Sequence, residues 1–183
     1  MHALYRIYFD YMPNTLIKIF LFLSSYFPLA VIFLIIYYNT QLYIGLFSFF
    51  IGLIGFLGLL IFLKKLKKIT PISYIVDSIN KKDNESISYI VTYIIPFLSI
   101  PLTGWQPIVA IIIFLFIVGT LYVNSDMIHI NPVLNLLGFH LYEITSQNNT
   151  YFILSKIKIR KNEIIKAITI SDDILMVKYI DKN

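Results

Sequence analysis

The sequence predicts an integral membrane α-helical protein: four transmembrane helices within residues 1–123, then a small cytosolic β-rich domain over residues 124–183. Three observations predict it. Hydrophobic residues make up 58% of the 183-residue chain and charged residues 14%, against about 45–50% and about 25% in soluble domains. A soluble core cannot hide that much Ile, Leu, Phe and Tyr, so a bilayer is the expected solvent. Apolar runs lie at about 16–38, 41–63, 87–103 and 107–123, and a helix needs about 20 residues to cross the hydrocarbon. All fifteen Lys and Arg avoid the connections Asn39-Thr40 and Thr103–Gln106. Basic residues stay on the cytoplasmic side, so both termini and the loop after the second run belong there.

The first run, LIKIFLFLSSYFPLAVIFLIIYY, is longer than the roughly 7–15 residues of a signal-peptide core. It is expected to remain as a span. The second, QLYIGLFSFFIGLIGFLGLLIFL, carries Gly45, Ser48, Gly52 and Gly55 on one helical face. Small residues let backbones approach where lipid removes the hydrophobic drive for association. The strip serves packing within one subunit or between subunits, and both readings stand. Lys64, Lys65, Lys67, Lys68, Lys81 and Lys82 then mark a basic loop.

The third run, ISYIVTYIIPFLSIPL, contains Pro96 and Pro101. Each proline removes an amide donor, which a membrane tolerates where neighbours re-satisfy the freed carbonyls. A bent span is predicted rather than a re-entrant segment, which would place the basic loop and the basic tail on opposite sides. The fourth run, PIVAIIIFLFIVGTLYV, is near the lower length limit, and Trp105 suits an interfacial anchor.

Beyond Val123 the pattern changes. Asn131-Pro132 reads as a turn or helix start, Val133–Leu137 as a short helix, and Gly138 as its C-cap. Period-2 alternation follows from His140 to Thr145, Tyr151 to Ile159, Ile164 to Ile170 and Ile174 to Ile180. Turns are predicted at Asn148-Asn149 and Ser171–Asp173. The tail therefore reads as a four-stranded antiparallel meander, small enough to need support from the short helix or a partner.

Chemistry is sparse. The chain contains no Cys, no GxSxG, no HExxH and no phosphate-binding glycine loop. His2, His129 and His140 lack ligand spacing, and Asp172-Asp173 reads as a turn. No catalytic, metal or cofactor-binding residue is expected, and the chain is not expected to be an enzyme. The net charge of +5 is scattered, as orientation signals are, rather than gathered into a nucleic-acid surface. Apart from Lys18 near an end, no predicted span holds a charge that would mark an ion path. Lys156, Lys158, Arg160 and Lys161 form the candidate partner surface, beside their reading as a solvated strand end.

The stretches SYFPLAVIF in the first run, SYIVTYIIPFLSIPL in the third and NPVLNLLGFHLYEI at Asn131–Ile144, with the four-span layout, resemble the KwaA family of Kiwa anti-phage membrane subunits. The resemblance implies an inner-membrane homo-oligomer, a tetramer, that joins the cytosolic DNA-binding effector KwaB and senses infection at the envelope. It implies a sensor and scaffold without catalysis. Two other classes fit the composition: a small oligomeric pore-forming, holin-like effector, and an accessory subunit of a transporter.

Overall fold

The apolar and the alternating runs separate into two units. One comprises Thr15–Ile61 and Asn84–Val133; the other contains Phe62–Asp83 and Leu134–Asn183. The computed structural model describes residues 13–89, 91–92, 104–125 and 127–181.

In the helical unit, α1 (Thr15–Ser25) and α2 (Phe27–Ile36) share the first predicted span. The sequence predicts one continuous helix there, but the structure bends it by 43°. The cause is local. Pro28 has no amide to offer the preceding turn, and Ser24 and Ser25 turn their hydroxyls back onto Leu21 O and Phe22 O at 2.7 and 2.6 Å, a geometry that bends helices. Helix α3 (Leu42–Leu66) is apolar all round, as expected of a helix facing lipid on most sides. Tyr43, Phe47 and Phe50 on α3 and Phe116 on a later helix, α5 (Gln106–Asn124), are largely exposed. Helices α3 and α5 are long and apolar enough to cross a membrane, and the α1–α2 pair adds a third if counted as one bent span. The region of the third predicted span contributes α4 (Asp83–Tyr89), which begins on polar residues. Pro96 and Pro101 lie outside the described residues.

Asn131 carries more structure than its reading as a turn suggested. It is fully buried and precedes Pro132, the first residue of α6 (Pro132–Leu136). Its Oδ1 accepts the Val133 amide at 2.9 Å in the manner of an N-cap. Its Nδ2 donates to Leu21 O at 2.9 Å and to Ser24 Oγ at 2.7 Å. Asn131→Ala should therefore destabilise the protein by about 2–3 kcal/mol, since three buried bonds are lost and the Val133 amide loses its acceptor, while Leu21 O and Ser24 Oγ keep their bond to each other. Thermal melts of the detergent-extracted chain test this. A melting point equal to that of the wild type would show that the network contributes nothing.

The β unit begins just after α3, where Lys178 Nζ donates to Lys67 O at 2.6 Å and to Ile69 O. What reads as a basic loop is partly sheet: β1 (Ile72–Ile75) and β2 (Ser78–Lys81). The tail supplies β3 (His140–Ser146), β4 (Asn149–Ser155), β5 (Ile164–Ser171) and β6 (Ile174–Asp181). The order is β1-β5-β6-β4-β3-β2. The four tail strands fall where alternation puts them, but they do not form a meander. Strand β6 inserts between β5 and β4 and runs parallel to β4. Strand β4 stops at Ser155 rather than Ile159, and the segment beyond it crosses over to β5.

The outermost strands, β1 and β2, are joined only by Val76-Asp77, so the sheet must curl until its edges nearly meet. Val76 holds that corner: its N–H donates to Glu163 O at 3.1 Å and its carbonyl accepts from Asn162 N–H at 2.8 Å. Inside the curl lies a core of Val76, Tyr142, Ile144, Ile153, Ile165 and Leu175, closed by Ile159. The β3–β4 hairpin turns on Gln147-Asn148, both at positive φ, one residue before the predicted pair. Gly138 at φ 84° ends α6 as predicted. The Phe139 amide reaches Leu134 O at 3.0 Å and the Gly138 amide reaches Asn135 O at 2.9 Å, the paired bonds of a Schellman cap.

Candidate functional site

One end of this curled core opens as a cleft of about 550 Å³. Strand alternation builds it. On β3, His140, Tyr142 and Ile144 share the inward face, and register pairs Lys81 with Tyr142 and Ile79 with Ile144. Tyr142, Ile79 and Ile159 form the apolar floor; Lys81, His140, Lys156 and Lys158 line the remainder.

Lys81, His140 and Lys156 are held by their neighbours. The Ser155 hydroxyl donates to Ile157 O at 2.7 Å and accepts the Ile157 amide at 3.0 Å. This turn places Lys156 and Lys158 on either side of Ile157, and buried Ile159 anchors the far end. Lys156 Nζ lies 4.7 Å from the Phe139 ring centroid, a cation–π distance. Asp83 is not among the lining residues but holds two of them. Its Oδ2 meets Lys81 Nζ and His140 Nδ1, both at 2.8 Å, and its Oδ1 accepts the Leu141 amide at 2.8 Å. Lys82, the neighbour of Lys81, pairs instead with Glu143 at 3.2 Å.

Partial burial pushes the Asp83 carboxyl up. The hydrogen bonds from Lys81, the Leu141 amide and His140 outweigh it and hold the group below its ordinary 3.8. The Asp83 carboxylate in turn holds the Lys81 ammonium above its ordinary 10.5. Among the described residues no carboxylate lines the cleft. The arrangement presents cations and donors over an aromatic and aliphatic floor.

The structure divides the four basic residues singled out in the sequence. Lys156 and Lys158 line the cleft. Arg160 and Lys161 lie beyond it in the exposed turn before β5, where the Arg160 amide donates to Glu163 Oε2 at 2.8 Å. Lys81, Asp83, His140 and Tyr142 are the residues that sequence reasoning missed. The available signal was the apolar alternation Ile72, Tyr74, Val76, which marks β1; Lys81 lies on β2, beyond the corner at Val76-Asp77.

The glycine strip meets its own chain. A Cβ on Gly52 would lie 2.9 Å from Ala30 Cβ, one on Gly55 2.5 Å from Ser24 N, and one on Gly45 3.0 Å from Leu34 Cα. Ser48, on the same face, is half-buried.

A family model described as "Anti-phage protein KwaA" matches residues 17–176. The Kiwa protein KwaA of Escherichia coli O55:H7 (strain RM12579 / EPEC) is 29% identical over 69 residues, which cover 38% of this chain and 35% of that relative. The match thus spans about a third of the relative's length. No solved structure matches the chain.

Proposed function

This chain belongs to the anti-phage KwaA family, and on that premise we propose that it is the membrane-embedded, non-catalytic subunit of a Kiwa-type defence system. It acts as sensor and scaffold, and a cytosolic partner, the KwaB effector of the family resemblance, carries the effector chemistry. The observation that carries this reading is the pairing of outward-facing apolar helices with a folded, basic β unit in one chain. Four spans at the inner membrane, with both termini cytoplasmic, account for the placement of every Lys and Arg. A tetramer is the assembly that the resemblance implies. The exposed turn at Arg160 and Lys161 is the part of the candidate partner surface that lies outside the cleft.

The pore-forming reading draws on the small-residue strip as a contact between subunits. That strip is occupied by α1 and α2 of the same chain, which favours the scaffold.

The test is to tag the protein at its native locus, extract it in mild detergent and identify what co-purifies. A stoichiometric cytosolic protein encoded beside it, together with restored phage plating on its deletion, is expected. Recovery of the chain alone, with membrane depolarisation when it is overexpressed, would replace the scaffold with the pore.

A further inference from the structure

We propose that the cleft at the end of the curled sheet is a binding site for a phosphate ester carrying a ring or apolar group, the chemistry of a nucleotide. The volume of about 550 Å³ falls within the roughly 300–1,000 Å³ of small-molecule sites, which favour the mouths of closed sheets.

The lining selects charge and shape together. Lys81, Lys156 and Lys158 converge on one opening with no carboxylate among the lining residues. Among the described residues Lys158 and Lys156 meet no carboxylate, and Lys156 lies over the Phe139 ring. Both ammonium groups therefore keep donors for an anion, and lysine is a common point-charge ligand of phosphate. Asp83 engages His140 through Nδ1, so Nε2 is the ring nitrogen left for a ligand. Below these groups Tyr142, Ile79 and Ile159 offer a flat apolar floor, against which a base or an acyl-glycerol stem can lie. A bare inorganic ion would leave that floor uncovered, so the ester should bind better than phosphate alone.

The phosphate ester has two sources, a soluble nucleotide or the head of an anionic lipid, and one experiment separates them. The full chain is reconstituted in nanodiscs of phosphatidylcholine and titrated with a fluorescent ATP analogue. Saturable binding is expected, displaced by ATP at lower concentration than by inorganic phosphate. Lys156→Glu with Lys158→Glu should weaken it by roughly a hundredfold, about tenfold for each charge-assisted contact. The milder Lys158→Gln should weaken it by about tenfold. Both positions are exposed, so elution on gel filtration should not change. If nanodiscs containing phosphatidylglycerol block the probe in the wild type, the natural ester is the lipid head. If the probe binds the double variant as it binds the wild type, or if a glutamate-rich peptide binds where no phosphate does, the site is not a phosphate site.

Discussion

Gly55→Ala is expected to remove most folded protein from the membrane, the largest effect of any single methyl group in the helical unit. The added Cβ would stand 2.5 Å from Ser24 N, 2.6 Å from Leu23 C and 2.7 Å from Leu23 Cβ. Two of those atoms are backbone, so no rotamer change relieves the clash. Either α3 withdraws or the bend between α1 and α2 moves, and Ser24 at that bend also accepts from Asn131. Overpacking costs about 1–3 kcal/mol. The upper end applies here, because in lipid close packing replaces the hydrophobic drive that would otherwise hold helices together.

Two controls sharpen the expectation. At Gly119 the new Cβ would meet the outer ring atoms of Phe22 at 2.9 and 3.3 Å, which a small ring movement relieves, so Gly119→Ala should be mild. Gly45→Ala, 3.0 Å from Leu34 Cα, should fall between. The measurement is the yield and melting point of each variant after detergent extraction. A Gly55→Ala protein that stays folded but loses its oligomeric state would move the strip from the chain's own packing to a subunit interface.

The legible parts of this molecule are those where local pattern and tertiary packing agree. Strands β3 to β6 alternate because one face fills the curled core, and that alternation survives in the sequence from His140 to Ile180. The Asn131-Pro132 start and the Gly138 stop of α6 are chemical signals that need no partner. The pairing of β4 with β6 had no such signal. Sequential neighbours make an antiparallel meander the default, and only the crossover from Lys156 to Glu163 permits β6 to insert. Strands β1 and β2 were hidden for another reason. They are four residues each and largely exposed, and Lys-rich flanks give them the composition of a loop. The cleft was illegible in consequence, since it needs β2 to bring Lys81 beside His140. Lys81 and Lys82 look alike in sequence, yet strand parity sends one to the cleft with Asp83 and the other to Glu143. At the bend of the first span the signal was present in Pro28, inside a run that is apolar throughout.

Asp83→Ala is expected to loosen the cleft end of the β unit by about 2–3 kcal/mol, because a hydrogen-bonded carboxylate is lost and a donor is stranded. The donor is the Leu141 amide, whose residue is buried, and Lys81 and His140 lose their shared anchor. Asp83→Asn separates the contributions. Its oxygen can still accept from Leu141, but it carries no charge for Lys81, so it should recover part of the loss. Amide hydrogen exchange at Leu141 reports the site directly: fast in the alanine variant, intermediate in the asparagine variant, slow in the wild type. The pH dependence follows from the lowered carboxyl pKa. The unfolded chain takes up the proton first as pH falls, so the contribution is complete well above 3.8 and disappears as pH drops through the folded value. Acidification from neutral pH should therefore narrow the stability gap between wild type and Asp83→Ala only below about pH 4. A gap already closed at pH 6, or Leu141 exchange that ignores the substitution, would show that Asp83 does not hold this end of the sheet.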